Sequence, residues 1–434
     1  MLFDFIPLII FCIIATFLVN FSICYFNGGL RNNLLNIFTN LIFIIYLCNT
    51  PVVYYFKNFY LAFNVDVKDY YGIGFLQILL HLVFYNIGYF LFLLNKRKSS
   101  KYTDPNYRLL IGKRIEKKLF GLFIISYLAV FINTMSVGIN LLDVFLGKFG
   151  DPTLGLRGGS YYVQNLADSL ISFLIIAFFF KIKKQYFILM LLFSIPLFLI
   201  LGFRYRLLLS FFGIILIYIY DKGLTFRSIL KYLFVFVTAL YTLLLLTQNR
   251  YTIYMQKYEE VSFDMSEFDY DIIFDQARGS IMDFAVYKYI DKNIDKLDFG
   301  ETMIGYIFIK MTPSFLFKNY TKPYPPPQLP IIDEAIGGSR DNGEAVSSLG
   351  GAFIAFYYPG IYIMAFLLGS VIAKLQNRFE KSSLGMITSL IINVALFQWI
   401  SRGYFPQEVD HLAYMLFPII LIKSFGRKLI AIKF

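Results

Sequence analysis

The sequence predicts an all-α fold: a polytopic transmembrane helical bundle of about eleven spans with one large extracytoplasmic loop. Three observations carry this. Of 434 residues, 58% are hydrophobic and only 16% charged, with a mean hydropathy of +0.63, too apolar for two or three water-soluble domains. Apolar runs near the roughly 20 residues needed to cross a bilayer recur along the chain, and none shows the alternating ten-residue pattern of a barrel strand. Basic residues collect in every second connection, as they do on the cytoplasmic side of membrane proteins.

The first span, 5–26, is preceded by Asp4 where a signal peptide would carry basic residues, so it reads as an uncleaved helix. Spans follow at 34–56 and 71–94; the latter holds His81 among Leu80, Leu82 and Phe84, which reads as a packed histidine. The fourth, 119–138, follows the most basic stretch of the chain. The fifth and sixth, 164–180 and 186–203, are separated by Lys181, Lys183 and Lys184. The seventh, 207–220, is short, and the eighth is 232–248. The ninth, 349–373, contains Pro359-Gly360, which is expected to kink it. Spans at 384–401 and 411–426 complete the bundle.

Placing 95–118 in the cytoplasm fixes the remaining loops by alternation. Twenty-three Lys and Arg then lie inside and seven in short outside loops, with the N-terminus outside and the C-terminus inside. The other ten lie in one soluble-sized outside segment, where sixteen carboxylates give a net charge of −6 against +18 for the rest. The overall +12 therefore comes from membrane orientation, and nucleic acid is not implied as a partner. Cys12, Cys24 and Cys48 fall in or beside the first two helices, and the chain has two histidines, so neither a disulfide framework nor a Cys/His metal site is expected.

Three regions result: a bundle of eight spans over 1–248, the external loop over 249–348, and three spans with a cytoplasmic tail over 349–434. Within the loop, Ile273, Ala277, Ile281, Phe284 and Tyr287 recur at helical spacing and predict an amphipathic helix over 271–294. A turn at Phe299-Gly300-Glu301-Thr302 leads into an apolar run to Met311, ended by Thr312-Pro313. Residues 322–327 read as an extended proline-rich strand and 337–344 as a polar, flexible loop.

These motifs resemble the Wzy-type O-antigen and capsule repeat-unit polymerases of bacterial cytoplasmic membranes. The resemblance is carried by Arg278-Gly-Ser-Ile-Met-Asp283, Gly300-Glu301-Thr302, Pro313, Lys322-Pro323, Gly337-Gly338-Ser339 and Ser347-Ser348-Leu349-Gly350, in that order on one loop. Two positions differ from the family pattern, Ser314 after the helix-ending proline and Gly351 at the start of the next span, so the family roles there do not carry over.

The resemblance implies a glycosyltransferase that joins undecaprenyl-pyrophosphate-linked oligosaccharide repeats at the outer face of the inner membrane. A chain-length regulator and a flippase are the implied partners besides the lipid bilayer. Departure of a pyrophosphate requires fixed positive charge, which arginine supplies through its planar fork, and no metal or cofactor is then required.

Arg204 and Arg206 form the turn before the short seventh span, whose fourteen residues rise only about 21 Å. The hydrocarbon core is about 30 Å thick, so the turn is drawn inward, where the pair either snorkels to the interface or meets an anion. Arg250, Arg278, Arg340 and Arg402 are the further candidate pyrophosphate contacts; Arg250 reads first as a headgroup anchor, and Arg278 reads equally as a salt-bridge partner of Asp271 or Asp275. For the base that takes the acceptor hydroxyl proton, Glu408, Asp410 and His411 stand together at the mouth of the last span, and Glu344 competes from the loop. The same three residues also suit a helix start with an interfacial histidine. A lipid-linked oligosaccharide flippase or transporter, or an O-antigen ligase, is the alternative function.

Overall fold

In a computed structural model the described residues are 2–26, 29–93, 105–136, 161–200, 205–223, 278–313, 316–317, 328–338 and 345–430. The eighth predicted span, the proline-rich stretch and residues 339–344 lie outside them. In chain order the helices are α1 (Ile6–Phe26), α2 (Leu34–Phe43), α3 (Thr50–Phe56), α4 (Tyr71–Phe92), α5 (Pro105–Ser136), α6 (Tyr161–Asn165), α7 (Ala167–Phe179) and α8 (Lys184–Ile200). Then come α9 (Tyr205–Lys222), α10 (Gly279–Lys292), α11 (Tyr306–Met311), α12 (Gln328–Ile336), α13 (Ser348–Phe379), α14 (Ser383–Arg402) and α15 (Phe405–Ile430). A two-residue antiparallel pair, β1 (Leu61–Ala62) with β2 (Val65–Asp66), sits between α3 and α4.

Seven helical stretches among the described residues are long and apolar enough to cross a membrane: Leu2–Phe26, Leu30–Phe56, Lys68–Phe92, Arg108–Met135, Tyr162–Phe179, Ser348–Phe379 and Ser383–Arg402. Helices also occupy the predicted sixth, seventh and eleventh positions as α8, α9 and α15. The second stretch is continuous because a π-helical segment, Ile44–Asn49, joins α2 to α3. Pro51 supplies the cause: its ring nitrogen cannot donate into the ladder, and the preceding turn widens to accommodate it.

The chain divides into two units. The first comprises 1–96, 273–378 and 395–410. Its helices α1, α2 and α4 are joined by a buried ladder of amides and phenols. Asn36 donates to Asn20 at 3.0 Å, Tyr85 donates to Asn36 at 2.7 Å, Tyr89 donates to Asn33 at 2.9 Å, and Asn20 donates to Asn86. Lipid supplies no hydrophobic force between helices, so such cross-links and close backbone approach must hold them. The approach is visible where α4 meets α13: a Cβ on Gly88 would strike the Phe366 carbonyl, and one on Gly369 would strike that of Tyr85.

Helix α13 is broken inside its length. Phe356 leaves helical geometry and Tyr357 takes φ +60°, ψ −157°, with Pro359 starting the second half. Tyr357 donates to Asp291 Oδ1 at 2.7 Å and Tyr358 to Oδ2 at 3.1 Å, so the end of α10 holds the break. Helix α10 itself is buried through Ser280–Tyr287 and Ile290 rather than amphipathic. Phe284 packs on Tyr71 and Phe75, and Tyr287 packs on Phe353, so apolar partners cover more than the single face the sequence predicts.

The second unit comprises 97–272, 379–394 and 411–434. In it α7 packs on α5, α8 and α9. At one end of α7 and α9 the buried Arg108 guanidinium lies 2.7 Å from Asp221 and stacks 4.4 Å from the Phe179 ring centre. Lys183 meets Glu116 at 3.4 Å at the same end. The opposite end of these two helices holds the candidate site.

Candidate functional site: a buried Arg–Asp–His cluster

Three helix starts supply the cluster. Asp168 is in the first turn of α7, where a carboxylate complements the exposed N–H groups and the positive end of the helix dipole. Arg206 is the second residue of α9, and its carbonyl accepts the Ser210 hydroxyl one turn later at 2.9 Å. His411 lies in the second turn of α15. All three side chains are buried, at 4%, 2% and 2% exposure respectively.

Their geometry is specific. Arg206 Nε donates to Asp168 Oδ1 at 2.6 Å, and His411 Nδ1 lies 2.9 Å from Asp168 Oδ2. The Tyr205 hydroxyl approaches the same Oδ1 at 3.5 Å, its ring meets His411 edge-on at 5.9 Å, and the Arg206 guanidinium lies 5.3 Å from that ring's centre. A buried carboxylate is costly without compensation, and here a guanidinium and an imidazole share it. With neutral imidazole, the carboxylate selects the tautomer that donates from Nδ1, which leaves the lone pair on Nε2. That Nε2 is buried and has no hydrogen-bond partner among the described residues. A histidine held this way by a carboxylate has the orientation and the free lone pair that general-base chemistry uses.

Of the residues expected from sequence, Arg206 and His411 are brought together. Asp410 instead faces Lys310, whose Nζ is 3.3 Å from its carboxylate and 5.3 Å from the Tyr404 ring centre. Glu408 is fully buried in the first turn of α15. Arg402 is exposed at the end of α14, and Arg278 is half-buried at the start of α10. Arg204, Arg250, Arg340 and Glu344 lie outside the described residues. Sequence reasoning missed Asp168. The signal was present, because a lone carboxylate at the head of an apolar run is expensive in a membrane and marks a site with a partner.

Two of the family-like motifs, Arg278–Asp283 and Ser347–Gly350, meet in space within the first unit. The Asp283 carboxylate accepts the Ser347 N–H at 2.8 Å, the Ser347 hydroxyl, and the Gly350 N–H. It therefore caps the start of α13 from α10, and a Cβ on Gly350 would collide with its Oδ1. Burial nevertheless pushes the Asp283 carboxyl up to about 7. In the Gly300-Glu301-Thr302 turn, Gly300 has φ +81°, and its N–H donates to Asp298 at 2.9 Å. Thr302 Oγ1 accepts the Gln328 N–H at 2.9 Å and so caps α12.

Fold and site together define a helical protein with membrane-crossing segments and a buried acid–base cluster at the starts of three helices. No protein-family model matches the chain, and neither a curated protein nor a solved structure matches it.

Proposed function

We propose that the chain is a Wzy-type oligosaccharide repeat-unit polymerase of a bacterial inner membrane, with about eleven spans and the 249–348 segment as its extracytoplasmic loop. The carrying observation is the His411–Asp168 pair beside Arg206, with the buried Nε2 making no hydrogen bond among the described residues. In this reading His411 Nε2 takes the proton of an acceptor sugar hydroxyl. The hydroxyl oxygen bonds to the anomeric carbon of the growing chain, and the bond from that carbon to the undecaprenyl pyrophosphate breaks. Asp168 stabilises the imidazolium, and Arg206, with Arg204 two residues earlier, favours the anionic leaving group.

The orientation has support of its own. Arg108 and Lys183, which the charge alternation assigns to the cytoplasm, gather at the end of α7 and α9 opposite to Asp168 and Arg206. Those helices run about 20 Å between the two groups at 1.5 Å per residue, a large part of a bilayer core. The chemistry then falls on the outer side, where lipid-linked repeats are joined.

The test is a glycan ladder made by purified protein from lipid-linked repeats, and in cells with and without the chain. A ladder that requires the chain and disappears in His411→Ala supports the proposal. Unchanged chain length on deletion rejects it, and loss of transfer to a different acceptor with length unchanged identifies a ligase instead.

A further inference from the structure

The segment from Phe299 to Pro313 belongs to the stretch whose acidic balance reads as an aqueous loop, yet its faces are reversed for water. The π-helical turn Glu301–Gly305 continues into α11. Toward the protein it turns Met303, Tyr306 and Lys310, at spacings of three and four. Met303 packs on Ala352 and Ala355, and Lys310 pairs with Asp410 at 3.3 Å. Outward it turns Ile304, Phe308 and Met311, at 55%, 71% and 51% exposure, and Phe299 and Leu316 extend this apolar surface.

Water would draw the ammonium group outward and the phenylalanine inward. Hydrocarbon reverses both preferences, since a cation there needs a paired anion and an apolar side chain is at home. The backbone is also satisfied internally: Ile304 donates to the Gly300 carbonyl at 2.8 Å, and both Thr312 N–H and its hydroxyl donate to Phe308, at 3.1 and 2.6 Å. Insertion into lipid requires that satisfaction. The apolar surface continues onto α13, a membrane-length helix. Gly300 abuts the Phe356 ring, which is itself exposed, as are Ile363 and Leu367 further along.

We infer that residues 299–313, with Leu316, are immersed in one leaflet of the bilayer, their outward face covered by lipid acyl chains and their one cation neutralised from behind by Asp410. The inference does not depend on the chemistry proposed above.

The test uses the full chain in phosphatidylcholine vesicles. Phe308→Trp adds a reporter to a protein whose native Trp399 is only 4% exposed and provides the baseline. Ile294→Trp is the control. Ile294 is 57% exposed but stands among Lys292, Asn293, Asp295 and Lys296, a polar setting. The expected result is a blue-shifted emission at position 308, most of which is lost with brominated acyl chains and retained with aqueous iodide, with the opposite behaviour at 294. Quenching at 308 by iodide alone overturns the inference. So does insensitivity at 308 to both quenchers, which would mean a second copy or another protein covers the face. Met311→Trp repeats the measurement on the same stripe if Phe308→Trp does not express.

Discussion

His411 Nδ1 lies 2.9 Å from the Asp168 carboxylate although 243 positions of chain separate them. His411→Ala is expected to abolish glycan transfer and to lower the melting temperature modestly without abolishing expression, because it empties a buried space and removes one of two donors to Asp168, which keeps its 2.6 Å bond from Arg206. A retained ladder with normal expression would remove His411 from the chemistry.

Asp168→Asn is expected to behave differently. It withdraws the charge facing a buried guanidinium, a change that typically costs about 3–5 kcal/mol, so the protein should lose yield and thermal stability as well as transfer. The paired change Asp168→Leu with Arg206→Met replaces both charges by apolar groups of similar size and should recover the yield but not the ladder. Recovery of both would assign the pair to folding alone.

How the sequence foreshadowed this structure differs between fold and site. Long apolar runs such as 5–26 and 384–401 specify membrane-length helices because no soluble core needs twenty consecutive apolar residues, and helices stand there. His411 is conspicuous in the sequence beside Asp410 and Glu408, but its actual partner Asp168 lies 243 positions away. Adjacent residues on a helix point in different directions, and Asp410 turns to Lys310. Helix α10 shows the same limitation. Its spacing announces one apolar face, while only the packed structure reveals Tyr71, Phe75 and Phe353 around it. The Asp283 and Ser347-to-Gly350 motifs were legible as residues, and their joining was not, since it depends on contacts 64 positions apart.

Asp283 should give the protein a pH-dependent stability. Its folded value of about 7 lies above the ordinary 3.8, so between these the folded chain holds a proton that the unfolded chain has lost. Its contribution is therefore fully present below pH about 4 and declines as pH rises toward 7, with a slope of at most about 1.4 kcal/mol per pH unit. Melting curves across this range should fall with rising pH in the parent and be flatter in Asp283→Asn, which keeps an acceptor for Ser347. Parallel curves would show that Asp283 does not titrate there.

Gly88 and Gly369 should each resist enlargement. A methyl group at either would meet a backbone carbonyl, of Phe366 or Tyr85, which cannot swing aside as a side-chain tip can. Gly88→Ala and Gly369→Ala are each expected to destabilise by about 1–3 kcal/mol, the usual range for overpacking, whereas Gly121→Ala, with open space around it, should be neutral or stabilising. Equal melting temperatures for all three would contradict the close α4–α13 approach.

Tyr357 carries backbone strain in the first unit. Its φ of +60° with ψ of −157° is a conformation populated almost only by glycine, and a side chain there costs about 1–3 kcal/mol. What offsets that cost is visible: the hydroxyl donates to Asp291 at 2.7 Å, and the ring packs on Phe353 at 5.0 Å. Tyr357→Gly relieves the strain and loses these contacts together, so the net change in stability should be small. Tyr358→Gly loses a comparable set, the 3.1 Å bond to Asp291 and packing on Phe353 and Tyr287, with no positive φ to relieve. It should therefore be the more destabilising by roughly the strain energy, about 1–3 kcal/mol. Asp291→Ala removes the acceptor from both tyrosines while leaving the strain in place, and should lower the melting temperature more than Tyr357→Gly does. If Tyr357→Gly were instead as damaging as Tyr358→Gly, the break in α13 would owe its geometry to the ring and its bond rather than being held against a backbone preference.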